Sequence, residues 1–234
     1  MIRRVPRAPT NDEVIGIIMS RPLNSVPGAE FAYSNSGYIL LAAVIEAVSG
    51  QPFHQYLQQR LFQRAGLTST GFWGTLAPRI APERIAKGHD DFGRAGSPLD
   101  WQVKTLADVG HGGVLSTVDG LARWVDALEA GRVIVRARVD RMWTPGKGGY
   151  GLGWWIEKKD DVVTVSHDGD GDGFGAHLSW TSSTRLLVIE MANVRIDWAS
   201  VHVKADEAIH AILERRAPLV PPDFAERKIG GVAH

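Results

Sequence analysis

The run from Ile39 to Val48 is apolar except for Glu46, and it limits most tightly what this chain can fold into. Apolar side chains all round a helix leave no face for water, so a helix from about Gly37 to Ser49 is expected to be buried. Ser34, Asn35 or Ser36 can each cap its start. Gly50 suits its C-terminal cap and Pro52 the first residue of the next helix. Tyr33 and Asn35 then fall on the lip of a buried helix. If the backbone there is extended, a phenol and a carboxamide two residues apart point the same way. A phenol whose pKa is lowered by a neighbouring ammonium can act as a general base, and an amide can orient a substrate. The same residues equally describe an ordinary capped helix with a packed tyrosine.

The rest of the chain divides by period. Thr10 and Glu13 form a capping-box pattern ahead of Val14, Ile17 and Ile18, and Pro22 stops that helix. Phe53, Tyr56, Leu57, Leu61 and Phe62 are spaced for a packed helix ending at Gly66, with His54 among them as a structural residue. From Leu67 to about Val109 the periodicity fades; so long an irregular stretch is expected to line something. Gly110 to Gly113 make a turn that accounts for His111 without catalysis. Ser116, Thr117 and Asp119 then start a helix with Leu121, Trp124, Val125 and Leu128 inward. Beyond Met142 the pattern becomes extended. Tyr150–Ile156 reads as a strand, followed by strands at Val162–Val165, Ala176–Trp180 and Leu186–Met191. Short connections at Lys159–Asp161 and Ser182–Thr184 make the sheet antiparallel. A helix from Asp197 to Arg215 follows. The organisation expected is a disordered arm over 1–9, a helical region over 10–142, a sheet with its C-terminal helix over 143–216, and a tail over 217–234.

Charge and composition exclude several functions. Lys plus Arg is 26 and Asp plus Glu is 26, so no net charge points to nucleic acid or an anionic membrane. The chain has no cysteine, which removes disulfides, thiolate metal sites and a cysteine nucleophile. No apolar run reaches the length of a membrane span. His89-Asp90-Asp91 has no second cluster at ligand spacing. Asp168, Asp170, Asp172 and Gly173 match the opening of a calcium loop, but Ser179 stands where the twelfth-position glutamate belongs, and both flanks alternate like strands. No metal or cofactor is expected.

Several motifs in order carry a resemblance. Pro27-Gly28, Phe31, Tyr33-Ser34-Asn35, Gly37-Tyr38 and Leu40-Leu41 come first. Ser49-Gly50-Gln51-Pro52-Phe53, Gly66-Leu67 and Thr70-Gly71-Phe72 follow, then Gly112-Gly113 with Ser116-Thr117 and Asp119, and Tyr150-Gly151-Leu152-Gly153-Trp154. Together they resemble the serine β-lactamase and penicillin-binding-protein-like superfamily, nearest its class C, esterase and D-aminopeptidase branch. The resemblance implies an α+β, β-lactamase/transpeptidase-like fold, with an antiparallel sheet packed by a C-terminal helix beside a helical region. It implies that Tyr33 is a base or proton relay and that Asn35 contacts substrate. His167-Asp168-Gly169, with Gly173-Phe174, occupies the place of the family's third motif. His167 would supply a proton donor or positive charge near the tyrosine, and the backbone N–H of Asp170 half of the oxyanion hole. Asp168, Gly169 and Asp170 would then border the substrate, and their charge would favour a neutral ester or a substrate bearing an amine.

One departure is graver. No Ser-x-x-Lys occurs anywhere in the sequence, nor any Gly-x-Ser-x-Gly, so the nucleophile and its activating lysine are absent. The chain reads as a family member that begins partway through, with the first strands of the sheet missing. The expected function is a serine hydrolase acting on a small-molecule ester, amide or peptide through an acyl-enzyme, inactive as this chain. The rival is a non-catalytic binding or interaction protein on the same fold. Self-association through an exposed sheet edge is expected in either case.

Overall fold

A computed structural model of the chain describes residues 9–72, 80–89, 96–100, 105–171, 173–194 and 209. The chain divides into a unit Met1–Ile196 and a unit Asp197–His234. In the second, only Ile209 is described, and it is helical. Residues 1–8 of the arm expected over 1–9, His89-Asp90-Asp91 beyond His89, Asp172, the C-terminal helix around Ile209 and the tail therefore lie outside the described residues.

The first unit opens with α1, Asn11–Met19. Thr10 caps it: the Thr10 hydroxyl accepts from the Glu13 N–H, and the Glu13 carboxylate accepts from the Thr10 N–H at 2.8 Å. The next helix, α2, runs Asn35–Ser49, with Ser34 as its cap and Gly50 closing its end. Of the three candidates Ser34 is the cap, its hydroxyl accepting from the Gly37 N–H at 3.0 Å. Helix α3, Phe53–Leu57, continues into a wider turn over Gln58–Phe62 with Pro52 as its cap rather than its first residue.

The described residues between Leu67 and Val109 include single 3-10 turns at Pro82–Arg84 and Pro98–Asp100 besides a short strand and a short helix. A two-residue strand β1, Gly71–Phe72, pairs with β2, Val114–Leu115. A short helix α4, Leu106–Val109, is held by a second capping box between Thr105 and Asp108. Thr105-x-x-Asp108 is the signal that the fading periodicity hid. Helix α5, Val118–Glu129, is capped by Thr117, and α6, Arg136–Met142, follows it.

The sheet is β3 Trp155–Lys159, β4 Val162–Gly171, β5 Phe174–Thr181 and β6 Leu186–Ala192, antiparallel in the order β3-β4-β5-β6. Asp160 and Arg185 take positive φ in the tight connections. The strand expected over Tyr150–Ile156 is instead a doubled-back loop. The Gly151 N–H donates to the Trp154 carbonyl at 2.8 Å and the Leu152 N–H to the Met142 carbonyl at 3.0 Å. Gly153 sits at φ +83°, left-handed space that breaks a strand and that a side chain rarely enters. The strand starts only at Trp155.

Two cores follow from this arrangement, and α5 serves both. Ala127 packs into the first, among α1, α2, α4, Phe53, Phe62 and Phe72. Val125 and Leu128 pack into the second, with Val139, Trp154, Val165, Leu178 and Trp180 against the sheet. Ala127 and Leu128 point differently because neighbouring helical residues are separated by about 100°.

The expected burial of α2 does not hold. It packs through Ile39 and Ala42, while Leu41 and Val44 are 57% exposed and Val48 84%. These three share a face that nothing among the described residues covers. Apolar composition fixed the helix but could not say how many sides of it meet a neighbour. No helix among the described residues is long and apolar enough to cross a membrane.

Candidate active site

Between the start of α2 and the sheet lies a cleft of about 370 Å³, lined among others by Glu30, Tyr33, Tyr38, Leu41, Lys147 and Tyr150. Its near wall is the irregular segment before Ser34, and two devices hold that segment. The Lys147 ammonium donates to the carbonyls of Gly28 and Ala29, the latter at 2.8 Å. The Phe31 ring packs on Tyr150, with centroids 5.2 Å apart, and edge-on to Trp155 at 5.5 Å. Gly148 makes this approach possible: a Cβ there would stand 2.8 Å from the Phe31 ring, and its φ is +65°.

Tyr33 leans over the same rings. Its centroid lies 6.0 Å from Tyr150 and 6.1 Å from His167. His167, on β4, is bonded at both nitrogens: Nε2 lies 2.8 Å from the Tyr150 hydroxyl and Nδ1 2.7 Å from the carbonyl of Asp168. The Tyr38 phenol is close enough to help raise the pKa of Tyr150. The structure thus brings Tyr33 and His167 together, as their motifs imply, and adds Tyr38, Tyr150 and Lys147. Tyr150 was visible only as part of Tyr-Gly-Leu-Gly-Trp, whose reading as a strand gave its hydroxyl no destination.

Other residues fall elsewhere. Asn35, the first residue of α2, is exposed and is not among the residues lining the cleft. Neighbours on a strand point to opposite faces. His167 shares a row with Leu178 and Ile189 on the core side, whereas Asp168 shares one with His177 and Glu190 on the other. The Asp168 carboxylate meets His177 Nδ1 at 2.5 Å. Its charge therefore does not face the cleft, and the preference for neutral or amine-bearing substrates loses that support. Gly169 and Asp170 continue β4, which past Ser166 pairs with β5 alone, leaving its other edge without a strand partner among the described residues. The flanks of the acidic turn are strands β4 and β5, not helices. No group of His, Asp and Glu among the described residues is placed to hold a metal ion.

The electrostatics favour neutral phenols. Burial, then the neighbouring Tyr38 phenol, raises Tyr33 above the usual range. Burial does the same to Tyr150, more strongly, with Tyr38 and Tyr33 adding to it. The Lys147 ammonium lines the cleft but is engaged by carbonyls, and the net effect on Tyr33 is the opposite of activation.

Comparison with known proteins places this geometry. The Beta-lactamase family model matches residues 3–211. The chain is 28% identical over 188 residues to a putative penicillin-binding protein, PbpX, of Bacillus subtilis (strain 168), covering 80% of this chain and 46% of the relative. It is 27% identical over 191 residues to the D-alanyl-D-alanine-carboxypeptidase/endopeptidase AmpH of Escherichia coli (strain K12), covering 73% and 47%. The chain thus spans about half the length of these curated relatives. Among solved structures, a penicillin binding protein from Bacillus halodurans superposes with a TM-score of 0.69 at 25% identity, over 86% of this chain and 62% of that one. A D-amino acid amidase from Ochrobactrum anthropi SV3 shares the fold, with a TM-score of 0.71 at 21% identity over 93% and 67%.

Both raised phenols carry a consequence for pH. Their folded pKa values lie above the unfolded value of about 10, so folding favours the neutral form. The stability this contributes is complete below that pH and is lost as pH climbs through the folded values. Ultraviolet titration of tyrosinate is expected to show ionisations later in the native chain than in urea. Tyr150→Phe should remove the step with the highest midpoint; a native curve that overlays the unfolded one would contradict this.

Proposed function

The chain belongs to the Beta-lactamase family, and on that premise we propose that its cleft is part of the site of a serine hydrolase that cleaves amide, peptide or ester bonds through an acyl-enzyme. The observation that carries this reading is the meeting of Tyr33 with His167, two motifs 134 positions apart, over one aromatic floor. The names of AmpH and the D-amino acid amidase support an amide or peptide substrate.

The sequence contains no Ser-x-x-Lys, so on this reading the acylated serine and its lysine would have to come from a polypeptide segment other than these 234 residues. The raised pKa of Tyr33 fits that division. A phenol whose pKa is raised becomes a base only when a cation approaches it, and the lysine of that motif would be such a cation. Tyr33 then takes the proton of the serine hydroxyl as it attacks the carbonyl. The same proton passes to the leaving amine or alcohol when the tetrahedral intermediate collapses. The backbone N–H of Asp170 would stabilise the oxyanion, with Gly169 leaving the strand end open to substrate. Asn35 would contact the substrate only after a change in the position it holds here.

Alone, the chain is expected neither to hydrolyse nitrocefin or nitrophenyl esters nor to react with a fluorophosphonate. Co-expression with a segment bearing Ser-x-x-Lys from a relative should produce labelling at that segment's serine, and Tyr33→Phe should reduce it by roughly 10²-fold or more, the usual worth of a general base. Labelling of a serine of this chain would mean the nucleophile has been misplaced. Persistent silence in the complemented pair would favour a binding protein.

The open face of α2, with Leu41, Val44 and Val48, and the outer edges of β3 and β6 also support association with a second copy. Light scattering at micromolar concentration should return a mass above that of one chain. A single monomer peak with cooperative unfolding would contradict it.

A further inference from the structure

The hydrogen bonds of His167 decide which of its nitrogens carries the proton. A carbonyl oxygen can only accept. The contact between Nδ1 and the Asp168 carbonyl, at 2.7 Å, therefore requires a hydrogen on Nδ1. In a neutral imidazole that leaves Nε2 with a lone pair, and Nε2 lies 2.8 Å from the hydroxyl of Tyr150. The hydroxyl must be the donor.

We propose that Tyr150 is a positioning residue that donates its hydroxyl to Nε2 of His167, fixes the imidazole in its Nδ1–H form, and makes the ring a proton acceptor reached through the Tyr150 phenol. The donors then run one way: Tyr150 O–H to His167 Nε2, and His167 Nδ1–H to the Asp168 carbonyl. Hydrogen bonds aligned in this manner reinforce one another. Neutral His167 has no hydrogen left to offer substrate directly, so the direct proton-donor role that its motif implies does not fit this arrangement. A proton accepted by the Tyr150 oxygen from the cleft instead moves Tyr150's own proton to Nε2, and the result is an imidazolium with the phenol restored. The reverse sequence returns the proton. One proton enters and one leaves, and no other bond changes.

The surroundings hold Tyr150 in this role. Its ring is buried, packed at a tilt by Phe31, met edge-on by Trp155 at 4.8 Å and by Tyr33 at 6.0 Å, and turned 75° to His167. The turn just before it is fixed by Lys147 on the Gly28 and Ala29 carbonyls. Only the hydroxyl is free to act, and it reaches the imidazole. Phenylalanine would keep the packing and lose the hydrogen bond, which makes Tyr150→Phe a clean probe.

The relevance of the relay to catalysis rests on the hydrolase reading, but the tautomer does not, and it can be read without turnover. Long-range proton–nitrogen spectra of the imidazoles, taken well above the ordinary imidazole pKa of about 6.5, distinguish the two neutral forms. His167 is assigned by its loss in His167→Gln. In the native chain His167 should show the Nδ1–H form, whereas an imidazole free in water mostly carries its proton on Nε2. Tyr150→Phe should shift His167 towards the Nε2–H form, and Tyr38→Phe should leave it as Nδ1–H. A native His167 already in the Nε2–H form overturns the proposal without any variant; so does an Nδ1–H form unchanged by Tyr150→Phe. Failure here would leave the acyl-enzyme reading intact, and failure of fluorophosphonate labelling would leave the tautomer intact.

Discussion

The ring of Tyr150 is where the parts of the cleft meet. Phe31 and Tyr33 reach it from the segment before α2, Trp155 from β3, and His167 from β4. Without a common surface these elements have little reason to converge, since the segment over Gly28–Tyr33 has no regular secondary structure and no ladder of its own. Aromatic pairs of this kind contribute about 0.5–1.5 kcal/mol each beyond the area they bury. Several on one ring suffice to order a short loop but not to fold a domain. Folding is left to the two cores that α5 joins. The site is therefore a local assembly laid on a scaffold with separate sources of stability.

The polar groups of the cleft follow the same division. Lys147 uses its charge to anchor the loop, and His167 uses both nitrogens within the protein. Tyr33 and Tyr150 are kept as neutral phenols by burial. On the hydrolase reading proposed above, the chemistry of the site would need a cation that lowers a phenol's pKa and a serine that attacks. The sequence contains no Ser-x-x-Lys that would supply the pair.

Much of this was legible in the sequence where local rules decide the structure. The Thr10–Glu13 box, the Ser34 cap, the Thr117 cap and the tight hairpin connections each depend on a few neighbouring residues, and each formed where its pattern stood. The antiparallel sheet followed from those hairpins. What was not legible depends on partners far away in the chain. Composition could not show that α2 keeps Leu41, Val44 and Val48 in the open. Nor could it show that Tyr-Gly-Leu-Gly-Trp doubles back onto Met142 and sends Tyr150 towards His167. One feature was available and overlooked: His167 and Asp168 are neighbours on a strand, so their side chains cannot both face the cleft. Asp168 accordingly pairs with His177 on the far side.

If the loop before α2 is held by Lys147 and the Tyr150 ring, removing the ammonium should release the loop while the two cores stay folded. Ring-to-ring nuclear Overhauser effects between Phe31 and Tyr150, and between Tyr33 and His167, measure this directly in Lys147→Met. The account predicts that both become weak or vanish while contacts within the core, such as Trp143 with Trp154, persist. Undiminished Phe31–Tyr150 and Tyr33–His167 effects in that variant would contradict it.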